Sequence, residues 1–154
     1  MLNENDRAPD VALTGDDGGQ VRIGDFKGQK LVLYFYPKDD TSGCTREAQD
    51  FTALAGEFEA VGTWVVGVSK DSIKSHAKFR DKYELKVRLL SDADGAACEA
   101  FGTWVEKSMY GRKYMGIERA TFLIDRDGVI KKAWHKVKVP GHAEAVLAAA
   151  RELA

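Results

Sequence analysis

Leu31-Val32-Leu33-Tyr34-Phe35-Tyr36-Pro37 is an unbroken apolar run of β-prone residues closed by a proline. Strict alternation would mark a strand with one wet face. A continuous run marks a strand covered on both faces, as inside an α/β sheet. After the punctuation Lys38-Asp39-Asp40-Thr41-Ser42-Gly43 comes Cys44, and a helical pattern follows. Ala48, Phe51, Leu54, Ala55 and Phe58 recur at three- and four-residue spacings, which predicts a helix from Thr45 to Glu59. Cys44 therefore stands where a strand hands over to a helix. Unpaired backbone N–H groups and the positive end of the helix dipole favour an anion there. For a cysteine that anion is the thiolate, the nucleophilic form of sulfur.

The same punctuation divides the rest of the chain. Val11-Ala12-Leu13 and Val21-Arg22-Ile23 flank Gly15-Asp16-Asp17-Gly18-Gly19 and predict an N-terminal hairpin. Trp64 to Ser69 reads as a second buried strand. Asp71 or Ser72 caps a helix running to about Tyr83, with Ile73, Ala77 and Phe79 on its apolar face. A short strand Leu89-Leu90-Ser91 and a helix from Ala96 to Phe101 follow. Asp125-Arg126-Asp127-Gly128 joins strands at Ala120–Ile124 and Val129–Trp134, and His142 to Leu153 is an Ala-rich closing helix. Parallel crossovers, then an antiparallel pair and a final helix, predict an α/β domain. Its mixed central sheet is flanked by helices in the thioredoxin-like manner, with an added N-terminal hairpin.

The 154 residues are 44% hydrophobic and 31% charged, with net charge -1, and are expected to form a single domain spanning 1–154. Near-neutral charge gives no reason to expect nucleic acid or a membrane surface as partner. No apolar run approaches the ~20 residues that span a bilayer. The polar start Met1-Leu2-Asn3-Glu4-Asn5-Asp6 lacks a secretory pattern, so the cytoplasm is the expected compartment. The two cysteines, Cys44 and Cys98, form no CxxC motif, which argues against a dithiol disulfide reductase. His76, His135 and His142 show no metal-ligand spacing and read as surface or capping residues. Trp104, Tyr110, Tyr114 and Met115 lie in a glycine-broken segment and read as packing residues. No metal, flavin, haem or other cofactor is expected.

Pro37-x-x-x-Thr41-x-x-Cys44 resembles the active-site pattern of the peroxiredoxins. Tyr34-Phe35-Tyr36-Pro37-Lys38, Gly43-Cys44-Thr45-x-Glu47, Leu89-Leu90-Ser91-Asp92, Glu106-Lys107-Ser108 and Gly116 to Asp125 are similar to the bacterioferritin comigratory protein, or peroxiredoxin Q, branch. The likeness runs from about Asp6 to Leu153. It implies a peroxiredoxin-type thioredoxin fold and a thiol peroxidase acting on hydrogen peroxide and organic hydroperoxides. Cys44 would be the peroxidatic cysteine, Arg119 the active-site arginine, and Thr41 and Pro37 the loop residues beside the sulfur. Displacement at a peroxide oxygen needs more than a thiolate, because nucleophilicity falls as a thiol becomes more acidic. Donors must face the charge that develops on oxygen. The candidates are the Thr41 hydroxyl, the N–H groups of Gly43 and Cys44, and Arg119. Pro37 is expected to shield the sulfur from bulk water, and Glu47 is either an active-site carboxylate or only a first-turn charge.

Two departures from the family pattern matter. Ser42 stands where relatives often have proline, a change the core pattern tolerates. Many relatives carry a resolving cysteine five residues after the peroxidatic one, and here that residue is Gln49. The predicted Ile73–Tyr83 helix, the other usual location, has none. Cys98 is either a small buried hydrophobe or a resolving cysteine. The first reading is favoured and leaves a one-cysteine cycle, in which thioredoxin, glutaredoxin or a small thiol regenerates Cys44. The alternatives are a Cys44–Cys98 disulfide cycle and a redox sensor or holdase that does not turn over. A monomer or weak homodimer is expected.

Overall fold

The computed structural model describes residues 1–154. β1 (Ala12–Thr14) and β2 (Gln20–Arg22) form the N-terminal hairpin. β3 (Lys30–Phe35), β4 (Thr63–Ser69) and β5 (Arg88–Ser91) run parallel, and β8 (Ala120–Ile124) and β9 (Ile130–Trp134) complete the sheet antiparallel. Its seven strands lie in the order β2-β1-β5-β4-β3-β8-β9. A separate two-stranded ribbon is made by β6 (Trp104–Met109) and β7 (Arg112–Ile117). The helices are α1 (Ser42–Ala53), α2 (Ala55–Ala60), α3 (Ile73–Tyr83), α4 (Ala96–Phe101) and α5 (His142–Glu152).

All six residues of β3 are buried, as the continuous apolar run requires. Leu31, Leu33 and Phe35 point into one core, with Ala97, Cys98 and Phe101 of α4. Val32, Tyr34 and Tyr36 point into the other, with residues from α1, α2, α3 and α5. Burial of this kind stabilises by about 25 cal/mol per Å² of apolar surface, which makes the β3 strand the spine of both cores. Gly67 on β4 has a packing reason. A Cβ there would lie 2.7 Å from Cζ of Tyr34, whose ring stacks on Phe51 at 4.8 Å between centroids.

Three expectations need correction. The helix foreseen over 45–59 begins earlier, at Ser42, and is interrupted at Leu54. There the Leu54 N–H reaches back only to Phe51 O at 3.1 Å, and Glu57 and Phe58 restart the ladder on Leu54 O. The break lets Phe51 and Phe58 meet in one core, 5.9 Å apart. His76 and His142 are buried rather than superficial, because each finds a polar partner inside, and only His135 is exposed. The segment before Arg119 is a β-ribbon rather than packed loop, turning at Tyr110 and Gly111, which both have positive φ. Only Trp104 of the four residues expected to pack is half-buried, under the Lys70 ammonium at 4.1 Å from the ring centroid. Tyr110, Tyr114 and Met115 face solvent.

Gly67→Ala should destabilise the chain by roughly 1–3 kcal/mol through overpacking against Tyr34. Equilibrium denaturant unfolding measures it, and an unchanged midpoint would mean that Tyr34 has room to move.

Candidate active site

Cys44 occupies the first turn of α1, just beyond the C-terminal end of β3. Thr41 is the residue before the helix, in extended conformation, and its carbonyl accepts the first helical bond from Thr45 N at 2.8 Å. The N–H groups of Gly43 and Cys44 precede that bond and are left without intrahelical partners. The positive helix end anticipated from the sequence is therefore present at the sulfur. Cys44 itself is only 2% exposed.

Arg119 arrives from the connection between β7 and β8 and divides its guanidinium between two groups. Nη2 donates to Cys44 Sγ at 3.4 Å, and Nη1 donates to Glu47 Oε1 at 2.7 Å. Gly43 leaves space for this approach, since a Cβ on it would stand 3.1 Å from Nη2. Glu47 lies one turn after Cys44 and is 1% exposed, so it is a buried partner of Arg119 rather than a solvated first-turn charge. Burial pushes its carboxyl up to about 7 against the pull of Arg119. Its second oxygen, Oε2, has no hydrogen-bond partner, and neither does the buried Tyr34 hydroxyl.

The other expected residues are distributed as follows. The Thr41 hydroxyl donates to Lys38 O at 2.8 Å, which closes the loop. Its lone pairs remain free, so towards a bound peroxide it can act as acceptor rather than the donor foreseen. Pro37 is on the exposed side of the loop. Cys98 is fully buried in α4, and burial with the neighbouring Asp92 carboxylate pushes its thiol up to about 12. It belongs to the core on one face of the sheet, and Cys44 to the core on the other.

Two residues named in the sequence reading were given no role at the site there. Lys107 on β6 is half-buried, and its ammonium is held down first by burial and then by Arg119, with Cys44 opposing. His142 Nε2 lies 2.8 Å from Thr121 Oγ1, and burial, with Arg119, lowers its ring to about 4. Nothing local marks either residue for such a role, since Lys107 is brought in by β6 and His142 by the start of α5.

The Glu47 carboxyl, raised from 4.5 to about 7, favours the protonated form in the folded chain. Its contribution to stability is complete below the unfolded value and is lost as pH rises through the folded one. Wild-type melting temperature relative to Glu47→Gln should therefore fall between about pH 5 and about pH 8. Parallel melting curves across that range would show instead that Arg119 keeps the carboxylate ionised throughout.

The AhpC/TSA family matches residues 5–133. The chain is 50% identical over 141 residues to the putative peroxiredoxin bcp of Coxiella burnetii, covering 92% of this chain and 93% of that protein. It is 46% identical over 147 residues to peroxiredoxin Bcp of Bacillus subtilis, covering 96% and 94%. Among solved structures, the Xanthomonas campestris bacterioferritin comigratory protein, studied for alkyl peroxide reduction, superposes with TM-score 0.90 at 45% identity, covering 98% of each chain. A cysteine-to-serine mutant of Xanthomonas campestris peroxiredoxin Q gives 0.91 at 45% identity, covering 99% of each. The fold, the cysteine at the helix start and these likenesses agree: the chain belongs to the AhpC/TSA family, among the Bcp or peroxiredoxin Q thiol peroxidases.

Proposed function

We propose that Cys44 attacks hydrogen peroxide and organic hydroperoxides as a thiolate, and that an external thiol then regenerates it. The observation that carries this reading is the Arg119 guanidinium, 3.4 Å from the sulfur, at a helix end whose Gly43 and Cys44 N–H groups are unpaired. The Cys44 sulfur forms a bond to one peroxide oxygen while the O–O bond breaks. Sulfur is oxidised by two electrons, and the departing oxygen leaves as hydroxide or alkoxide and takes up a proton. The guanidinium and the two N–H groups face the region where that negative charge grows, which is where preorganised donors lower a barrier most. Thr41 Oγ1 accepts a hydrogen bond from the peroxide O–H, whose proton goes to the departing oxygen, Pro37 covers the outer side, and Glu47 fixes the plane of Arg119.

The sulfenic acid then condenses with an incoming thiol, releasing water and leaving a mixed disulfide. A second thiol frees Cys44. Thioredoxin, glutaredoxin or a small thiol can supply both, and the reducing cytoplasm is the compartment that fits. Two observations support an external thiol. Gln49 stands where many relatives keep a second cysteine, and Cys98 is buried behind the sheet with its thiol held protonated. Alkyl hydroperoxides join hydrogen peroxide as substrates by likeness to the Xanthomonas campestris protein.

Cys44→Ser should abolish thiol-dependent peroxide consumption. Arg119→Ala should lower it by roughly 100-fold, the loss seen when one oxyanion donor is removed. Cys98→Ala should leave turnover within about twofold, since it removes only a buried sulfur of a small hydrophobe. Intact-mass analysis after one equivalent of peroxide should show a Cys44 sulfenic acid or mixed disulfide. A Cys44–Cys98 disulfide would replace the external-thiol cycle, and consumption of only about one equivalent would mark a sensor.

A further inference from the structure

We propose that one face of the β6–β7 ribbon, carrying Lys107, Tyr114, Met109 and Arg112 with Tyr110 at its tip, is the docking surface for an acidic dithiol protein that regenerates Cys44. The inference rests on the external-thiol reading above and narrows the donor to one chemical class.

Six large hydrophobic side chains are exposed in this chain, and four of them, Met109, Tyr110, Tyr114 and Met115, belong to the ribbon. Single exposed apolar residues are ordinary on any surface, but a cluster of them marks an interaction site. Tyr110 is 99% exposed and occupies the turn with φ of 51°. A bulky residue in the left-handed region is an outlier, since Gly, Asn or Asp takes that conformation more readily. A ring that buries nothing and strains its own backbone adds little to folding. Tyrosine is, however, among the residues that most often anchor protein interfaces.

The strand register sorts the side chains by face. Lys107 pairs with Tyr114 and Met109 with Arg112, so these four share one side of the ribbon. Gly116 lies on the same side, where a Cβ would stand 3.3 Å from Lys107 Cδ and 3.4 Å from Tyr114 Cε2. Glu106 and Lys113, 3.7 Å apart, lie on the opposite side. The docking face therefore carries two cations and no carboxylate, in a chain of net charge -1.

This face is continuous with the reacting site. Lys107, at its inner end, is half-buried within electrostatic reach of Arg119 and Cys44. β7 ends at Ile117 and leads directly to Arg119. A protein seated on the ribbon is thus beside the sulfur. An acidic partner complements Lys107 and Arg112. A second copy of the chain would set the same cations against each other across a twofold axis. A lipid surface would match the charge but brings no thiol.

A dithiol donor completes the chemistry. Its first thiol condenses with the Cys44 sulfenic acid, forming an S–S bond and releasing water. Its second thiol attacks the first sulfur and displaces Cys44 as a thiolate, and the remaining proton passes to solvent. Cys44 is reduced by two electrons, and the donor leaves as its own disulfide.

Rapid mixing measures reduction of the peroxide-oxidised protein by dithiothreitol, by a thioredoxin of net negative charge and by a glutaredoxin of net negative charge. Tyr110→Gly removes the ring and relieves the turn, so its melting temperature should not fall. Its rates with hydrogen peroxide and with dithiothreitol should match wild type. Its rate with a protein donor below saturation should fall roughly tenfold, as on loss of an interface anchor. Arg112→Glu should slow the same step alone, by roughly tenfold in low salt, with the gap closing as salt screens the charges. Equal loss with dithiothreitol, no loss with either protein donor, or wild type reduced by dithiothreitol but by neither protein would overturn the docking surface. So would self-association or binding to phosphatidylglycerol vesicles that Tyr110→Gly abolishes while the protein-donor rate stays unchanged. Failure of the external-thiol reading looks different, because oxidised wild type would then carry a Cys44–Cys98 disulfide in intact-mass analysis.

Discussion

The site is organised by one guanidinium shared between a sulfur and a buried carboxylate. Arg119 cannot be deprotonated in a protein, so wherever its plane is fixed a positive charge is fixed. Glu47 does the fixing through a 2.7 Å bond, and this leaves the second nitrogen directed at Cys44. Much else in this part of the chain serves that arrangement. Gly43 leaves the space, β8 begins with the residue after Arg119, and β3 delivers the loop to the right edge of the sheet. The burial that raises the Glu47 carboxyl also leaves the guanidinium only partly exposed, so the pair trades some stability for field strength at the sulfur.

The loop before Cys44 is bonded to α3, with buried Asp39 accepting from Ser75 and Tyr36 and meeting His76, and Asp40 accepting from Lys82 and Tyr83. That division gives the two elements different duties. α1 supplies the helix end and the Cys44 sulfur. α3 supplies hydrogen-bond and ion-pair partners to the loop through Ser75, His76, Lys82 and Tyr83. A buried carboxylate with three donors is costly to assemble and unforgiving once assembled, which suits an anchor better than a group that must change protonation during turnover.

Much of the fold was legible because its signals are local. The run Leu31–Tyr36, the turn Asp125–Gly128 and the glycine-rich turn after Thr14 each announce an element without reference to the rest of the chain. Cys44 at a helix start was legible for the same reason. Arg119 had no local signal, being 75 residues away, and entered only through resemblance to a family. His76 was misread because its partner Asp39 is 37 residues distant, and a polar residue looks superficial until its buried partner is known. The β6–β7 ribbon was missed because its two-residue turn is Tyr110-Gly111 rather than Asn-Gly or Asp-Gly, and because exposed strands carry a weak apolar pattern.

The sheet stands between the two sulfurs of this chain, one in each core. A second thiol on the same face would meet an oxidised Cys44 at an effective concentration in the millimolar range, as tethered partners do. Under the proposed external-thiol cycle, the wall of paired strands removes that local supply. The lifetime of the oxidised sulfur is then governed by how much free thiol the surroundings contain, and recovery is slow when that reducing capacity is depleted.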